Sequence, residues 1–278
     1  MSGTTITFIP NADAAACLIS LTKEIARDGP VKLLCYDPQL RTETESAARE
    51  LLGDTPGRFE IVRVRTLAPI AEVLGICRTS KATKLITGVF HFDSPDPRPQ
   101  SSRELVRSAP CESIATICGK CSIRSAESIV ILATGGAHDL VAVREGVELG
   151  EHLGASVSVA LVEDDSGAKA EIAGEKAISA LLHEASIDPQ DFNTNVAVDH
   201  DRRRGVRSCL EGNQLVISGW DGFQDLWESG YDSTSITTVL IKRAPPLQRR
   251  SLPEWIPRIN PHDHADLLQD LREGSKWK

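Results

Sequence analysis

Two short apolar runs in the second half of the chain end in small residues that could hold an anion. These runs, residues 129–133 and 215–218, read as strands, and small residues follow each: Thr134, Gly135 and Gly136 after the first, Gly219 and Gly222 after the second. A strand that stops at glycine lets backbone amides face outward at its carboxyl end, where α/β proteins hold anionic ligands. The pattern predicts a phosphate-binding loop.

Strand-like and helix-like segments alternate in the same order along both halves. In the first half, strands are predicted at 5–9, 31–36, 59–64, 84–89 and 113–118, with helices after residue 14 and at 43–52, 70–77 and 104–108. In the second half, strands are predicted at 128–133, 156–162, 194–198, 214–218 and 236–242, with helices at 140–153, 168–185, 202–210 and 223–228. Near-continuous apolar strands between amphipathic helices indicate a parallel sheet covered on both faces.

The predicted fold class is therefore α/β: two doubly wound five-stranded parallel-sheet sandwiches in tandem, with a C-terminal extension. We expect domains at residues 1–120 and 125–243. Their sheets should be separate and related by a near twofold axis. The proline-rich and helical tail, 244–278, should pack on the protein or on a second chain through apolar side chains that include Trp255 and Leu267.

Composition excludes several classes of protein. The net charge is −8 and aromatic residues make up 4% of the chain, which disfavours nucleic acid and anionic lipid as partners. No apolar run approaches the ~20 residues of a membrane helix, and the amino terminus lacks a signal-peptide pattern. Seven scattered cysteines are an odd number, so we expect reduced thiols and a cytoplasmic protein without membrane insertion.

The glycine spacing resembles that of the universal stress protein family. Nucleotide-binding members carry Gly-x-x-Gly, nine residues, and then Gly-Ser or Gly-Thr after the fourth strand. Here Gly219 and Gly222 match the first pair, and Ser233 matches the last position, but Asp232 replaces the glycine before it. The family's aspartate after the first strand is missing. The order of segments resembles tandem members, which are often regulatory or fused to membrane transporters.

In the first half the spacing of the glycine motif is retained, but most of the residues that could bind phosphate are replaced. Gly88 is present, His91 stands where the second glycine would be, and Ser101 and Ser102 follow at the expected distance. The resemblance implies a regulatory stress-response protein that binds ATP or another adenine nucleotide in its second domain. It also implies a protein partner, such as a transporter, and a homo-oligomer. The implied ligand residues are Thr134, Gly135, Gly136, Gly219, Gly222 and Ser233.

Other interpretations of the loop stay open. Glycine also ends strands for turn reasons alone, and Asp221, Asp225 and Asp232 place negative charge beside the loop. No Walker lysine offsets that charge. A scaffold without a small ligand is one alternative. An enzyme of the same sandwich type that uses ATP is another, although no catalytic motif is visible and we expect no enzyme activity.

Three further clusters have a chemical and a structural interpretation each. Cys118-Gly-Lys-Cys121, with Cys111 nearby, could bind zinc or change redox state, but small apolar thiols at a strand end and in a linker are the favoured explanation. His262 and His264 are too closely spaced to share a helix face, so no metal site is predicted. The arginines at 202–204 and 207 could meet an acidic partner or form a solvated helix face.

Overall fold

The strands and helices of the structure occur in the order predicted from the sequence. A computed structural model of the chain describes residues 3–27, 29–35, 38–53, 59–64, 69–88, 104–120, 122–163, 168–230 and 235–245. The tail predicted at 244–278 and the histidines at 262 and 264 therefore fall almost entirely outside the described residues. The tail's packing stays a prediction.

Each half contributes five strands and four helices to the described structure. The first half contains β1 (Thr4–Ile9), α1 (Ala15–Ala26), β2 (Val31–Cys35), α2 (Pro38–Leu52), β3 (Phe59–Arg63), α3 (Pro69–Thr79), β4 (Ala82–Gly88), α4 (104–108) and β5 (Glu112–Ile117). The second contains β6 (Ser128–Ala133), α5 (Asp139–Leu153), β7 (Ser156–Glu163), α6 (Ala168–Glu184), β8 (Asn193–Val198), α7 (Arg202–Leu210), β9 (Leu215–Gly219), α8 (Phe223–Glu228) and β10 (Thr237–Lys242). Each described helix is too short or too polar to cross a lipid bilayer.

All ten strands belong to one sheet, in the order β3-β2-β1-β4-β5-β10-β9-β6-β7-β8. Within each half every pairing is parallel, as expected for strands connected by crossover helices. The two halves have mirrored strand orders and meet at β5 and β10, which pair antiparallel. The α/β class and the two doubly wound halves are confirmed. The expectation of two separate sheets was wrong, because residues 1–245 form one compact unit around a continuous sheet.

The pairing of β5 with β10 buries two strands that would otherwise be sheet edges. Five consecutive residues of each strand are buried. Thr116 donates its hydroxyl to the carbonyl of Thr238 at 2.9 Å, and the amide of Gly119 donates to the Thr237 hydroxyl at 3.1 Å. A Cβ on Gly119 would lie 2.5 Å from the carbonyl carbon of Ile236, so the chain leaves β5 along a path that only glycine permits.

Helices cover both faces of the sheet. On one face, α1, α2, α5 and α6 share a single apolar cluster that crosses from one half to the other through residues such as Leu18, Ile114, Val143 and Ile241. On the opposite face, α3 packs in a cluster of the first half, and α7 and α8 pack in a second cluster that also includes Val106, Ala115 and Ile117 of the first half. The continuous cluster explains why α1 contacts α5 across the join.

A group of charges lies where α5 crosses the join. Lys84 of β4 forms ion pairs with Glu145 of α5 and, at 3.7 Å, with Glu112 of β5. One carboxylate oxygen of Glu112 is buried and accepts no hydrogen bond in the described structure. Burial and the neighbouring Glu145 raise the pKa of Glu112, while Lys84 opposes that rise.

The raised pKa predicts a pH-dependent cost at this position. A folded protein that holds the Glu112 proton more tightly than the unfolded chain loses unfolding free energy as pH rises through the interval between the two pKa values. We expect Glu112→Gln to be more stable than the wild type at pH 7 and to lose that advantage below the ordinary glutamate pKa of about 4.3. Urea unfolding across this pH range measures the difference.

Glu60→Gln is the matched control for this measurement. Glu60 pairs with Lys32 at 2.9 Å, but its side chain is 62% exposed, so its removal should change stability little. A Glu112→Gln variant that is less stable than the wild type at pH 7 would show that the pairing with Lys84 outweighs the cost of burial.

Candidate functional site

The predicted loop residues come together at the carboxyl edge of the second half. Because β6 and β9 are parallel neighbours, the residues that follow them meet at one edge of the sheet. Gly219 is the last residue of β9, and Gly222 ends a 3-10 turn, Trp220–Gly222, before α8. A Cβ on Gly222 would lie 2.9 Å from the Thr134 methyl group, so the two loops are in close contact. Ser233, the sixth predicted ligand residue, lies outside the described residues.

The anion that the loop binds belongs to the protein itself. One carboxylate oxygen of Asp139 accepts hydrogen bonds from the amides of Thr134 at 2.8 Å, Gly135 at 2.7 Å and Gly136 at 3.1 Å. The Thr134 hydroxyl donates to the other oxygen at 3.3 Å. Three amides that converge on one oxygen form an anion-binding concavity of the kind that holds phosphates elsewhere. In this structure its donors are taken up by Asp139.

Asp139 is held in place by its position at the start of α5. It is the first residue of that helix, where a carboxylate also interacts favourably with the helix dipole. Only 3% of the residue is exposed. Burial raises the pKa of Asp139, and the hydrogen bonds from the loop amides counteract part of that rise. Asp139 was not among the residues predicted from the sequence, and the signal that could have indicated it is an acidic residue in the first turn of the helix that follows the glycines.

The glycines of the loop are required by packing within the chain. A Cβ on Gly219 would lie 2.9 Å from an Asp139 oxygen and 3.0 Å from the carbonyl carbon of His138. One on Gly136 would contact the Asp221 side chain, and one on Gly222 would contact the Ser218 hydroxyl. Gly135 differs, because nothing lies near it and its φ of +77° is the left-handed conformation that glycine favours. Close backbone approach was predicted correctly here, but the partner is the protein.

A histidine connects the end of β10 to this edge. The amide of Arg243 donates to Nδ1 of His138 at 3.3 Å, and Nε2 of His138 lies 3.9 Å from Asp221. Burial lowers the pKa of His138, which Asp221 opposes. His138 therefore contacts both the residue that follows β10 and the loop that follows β9.

A cavity of about 430 Å³ opens beside the loop, between the ends of β6 and β7 and the face of α6. Its apolar wall includes Leu161, Ile178 and Leu181, and its charged residues are Asp139, Glu163, Glu184 and Arg202. Arg202 is already engaged, because it pairs with Asp225 at 2.8 Å and donates to the carbonyl of Val162 at 3.2 Å. Acidic residues outnumber basic ones in the lining, which disfavours a polyanion such as a triphosphate.

The corresponding edge of the first half holds no comparable set of donors among the described residues. After β1, the Asn11 side chain accepts one hydrogen bond from the amide of Ala14 at 3.0 Å. Gly88 is the last residue of β4, while His91, Ser101 and Ser102 fall outside the described residues. The sequence predicts that the two halves differ in their loop residues. Among the described residues this difference is seen in the loop after β1, which has no counterpart of the Thr-Gly-Gly sequence that follows β6.

The cysteines form a different pair from the one the sequence suggested. Cys118 forms a disulfide with Cys17, 101 residues away in the chain, so the expectation of reduced thiols was wrong for these two. Cys121 lies outside the described residues. Cys111 is buried and hydrogen-bonded to the buried Cys77, which raises the pKa of Cys77. Among the residues the structure describes, no group of His, Cys, Asp or Glu side chains could hold a metal ion.

The arginines of α7 are bound within the chain. Arg204 forms a bidentate pair with Asp199 at 2.6 and 2.8 Å, and Arg207 donates to the carbonyl of Ser229 at 2.6 Å. Together with the Arg202–Asp225 pair, these contacts fix α7 against its neighbours. These contacts favour a helix face whose arginines pair within the protein over an open basic patch.

Comparison with known proteins identifies the fold. No protein-family model matches the sequence, and no curated protein resembles it significantly in sequence. Among solved structures, the cytoplasmic domain of a prokaryotic cation chloride cotransporter matches with a TM-score of 0.64 at 14% identity, over 88% of this chain and 96% of that one. A universal stress protein from Archaeoglobus fulgidus matches with a TM-score of 0.52 at 8% identity, over 86% of this chain and 96% of that one.

A third structure, that of a putative universal stress protein from Pseudomonas aeruginosa, matches with a TM-score of 0.57 at 11% identity, over 86% of this chain and 92% of that one. The chain has a universal-stress-protein-like fold. At these identities the likeness extends to the fold alone, and the arrangement around Asp139 is a property of this chain.

The Asp139 hydrogen bonds predict different effects for two substitutions. Asp139→Ala removes the acceptor of three amides, and we expect it to lower the unfolding free energy by about 1–3 kcal/mol. Asp139→Asn retains an acceptor oxygen and removes a buried charge, so it should cost less than the alanine variant. Urea unfolding at pH 7 measures both. If both variants lost the same unfolding free energy, the negative charge of Asp139, and not its acceptor oxygen, would be what stabilises the loop.

The packing of Gly222 predicts a stability effect that needs no ligand. Gly222→Ala places a methyl group against Ser218 and Thr134, and we expect a loss of about 1–3 kcal/mol on thermal or urea unfolding. Gly75→Ala in α3 is the control, because nothing lies within 4 Å of that Cβ and alanine favours a helix by up to ~1 kcal/mol. An unchanged stability in Gly222→Ala would restore the interpretation that this glycine serves a ligand.

Proposed function

We propose that this protein is a regulatory interaction module that acts through a protein partner rather than through nucleotide-dependent chemistry. The observation that carries the proposal is the carboxylate of Asp139, which occupies the three amides at the end of β6. A free phosphate would have to displace a group that is covalently held at the same position. An intramolecular carboxylate has a large advantage in effective concentration over a free anion.

The kind of partner is suggested by the cotransporter domain. That structure is the cytoplasmic domain of a cation chloride cotransporter, and 96% of its length corresponds to 88% of this chain. We propose that this chain has a regulatory role toward a transporter. Its two halves would act together as a tandem unit. The same reasoning supports a cytoplasmic location, which stays a prediction.

Binding of an adenine nucleotide is the second candidate, and the cavity beside the loop favours it. Its volume of about 430 Å³ and its apolar wall suit a ring system, and Gly135 leaves one side open. The paired Arg202 and the surplus of acidic groups count against the phosphates. A ligand with little negative charge fits this lining better than ATP does.

Mass spectrometry and calorimetry separate the two candidates. We expect the full-length protein, purified natively, to release no nucleotide on denaturation and to give no binding heat with ATP, ADP or AMP in the presence of Mg²⁺. Leu181→Trp, which reduces the cavity and leaves the loop intact, should give the same result. Stoichiometric nucleotide that is lost in Leu181→Trp would contradict our proposal and support the nucleotide site. Hydrolysis of that nucleotide would favour the enzyme alternative.

Cross-linking in the cells that produce the protein tests the partner. We expect cross-linked peptides that join this chain to the cytoplasmic segments of a membrane transport protein. Cross-links confined to soluble enzymes, or to copies of this chain, would contradict the transporter part of the proposal.

A further inference from the structure

The disulfide between Cys17 and Cys118 lies beside a second cleft, whose lining includes Cys17 and Gly119, the residue that follows Cys118. Cys17 is the third residue of α1, and Cys118 follows directly after β5. Both cysteines are partly exposed, whereas the other cysteines of the described structure are buried. Of the sulfur atoms described, those of this pair are therefore the most accessible to a dissolved reagent.

The cleft has a volume of about 560 Å³, which falls within the range of roughly 300–1,000 Å³ typical of small-molecule sites. Its lining includes Cys17, Ser20 and the cations Lys120 and Arg124, and no acidic residue. Arg124 contacts Glu24 at 3.6 Å. Lys120 is exposed and makes no ion pair within the described part of the chain. The cleft therefore presents a positive charge to a ligand, in contrast to the acidic cavity beside Asp139.

A buried hydroxyl in the same cleft has no hydrogen-bond partner. Ser20 is 6% exposed, and its Oγ forms no hydrogen bond in the described structure. A buried polar group without a partner is uncommon and unfavourable, so a polar ligand atom at this position would be stabilising. Ser20 lies one turn of α1 beyond Cys17, which places this hydroxyl beside the disulfide on the same helix.

The two sulfurs are chemically unequal. Cys17 lies in the first turn of α1, where free backbone amides stabilise a thiolate. In thiol–disulfide exchange, the better-stabilised thiolate is the better leaving group. Attack is therefore favoured on the sulfur of Cys118, with Cys17 as the group that departs.

We propose that this cleft binds a small acidic thiol, a compound that carries one thiol and one or more carboxylates, and that the thiol exchanges with the Cys17–Cys118 disulfide. The thiolate of the ligand attacks Sγ of Cys118, the bond between the two protein sulfurs breaks, and a ligand–Cys118 disulfide forms. Cys17 leaves as a thiolate and takes up the proton that the ligand thiol has lost. The number of disulfides is unchanged, and α1 is released from the end of β5.

Thiols of different charge test the electrostatic part of the proposal. The full-length protein, purified without reductant, is treated with 3-mercaptopropionate, 2-mercaptoethanol or cysteamine, and each rate is corrected for thiolate concentration. We expect the anionic thiol to react roughly five- to tenfold faster than the cationic one, as one unit charge near Lys120 implies. Equal corrected rates would overturn the proposal, and so would a native protein in which peptide mapping finds no Cys17–Cys118 bond.

Two variants locate the effect. Lys120→Gln should abolish the preference for the anionic thiol, whereas Lys176→Gln, an exposed lysine on α6, should retain it. A preference that survives Lys120→Gln would place the recognition elsewhere and overturn the assignment. In the wild type, trypsin cleaves after Lys120 and separates Cys118 from Cys121, and fragmentation of peptide 108–120 distinguishes Cys118 from Cys111. Ligand found on Cys17 in place of Cys118 would contradict the proposed leaving group.

Discussion

The antiparallel pairing of β5 with β10 is the interaction on which the rest of this structure depends. In a five-stranded sheet of order 3-2-1-4-5, the fifth strand is an edge, and here both fifth strands are almost wholly buried. An exposed edge strand with unpaired backbone groups invites aggregation. The two edges satisfy each other, and the same join lets α1, α2, α5 and α6 share one apolar cluster. Neither half has a complete core without the other.

This join also explains where the buried charges lie. Helices α1 and α5 face each other across it, and Glu24 of α1 contacts His152 of α5 at 2.9 Å. Lys84, Glu112 and Glu145 meet where α5 passes over the ends of β4 and β5. Ion pairs in such places contribute little net stability, since desolvation offsets much of the attraction, but they restrict which surfaces can pair. They therefore favour this one alignment of the halves over other ways of covering two apolar edges.

The local elements could be predicted from the sequence, because apolar runs and amphipathic stripes depend only on near neighbours. Residues 128–133, 202–210 and 223–228 even agree residue for residue with β6, α7 and α8. The pairing of β5 with β10 could not be predicted, since an apolar run shows that a strand is buried and not which strand covers it. The same limit applies to Cys17 and Cys118, which come together across 101 residues. The site was half predictable: the glycines indicated outward amides, but they did not show that the acceptor is Asp139, three residues further along the chain.

The occupant of the loop after β6 decides how the glycine pattern should be interpreted. Amides at a strand end need a hydrogen-bond acceptor, and either a phosphate or an aspartate can provide one. A sequence pattern that detects the amides therefore cannot distinguish a ligand site from a structural cap. What distinguishes them is an acidic residue placed within reach at the start of the following helix, as Asp139 is at the start of α5. When that residue is present, as Asp139 is here, its carboxylate ties the loop after β6 to the start of α5.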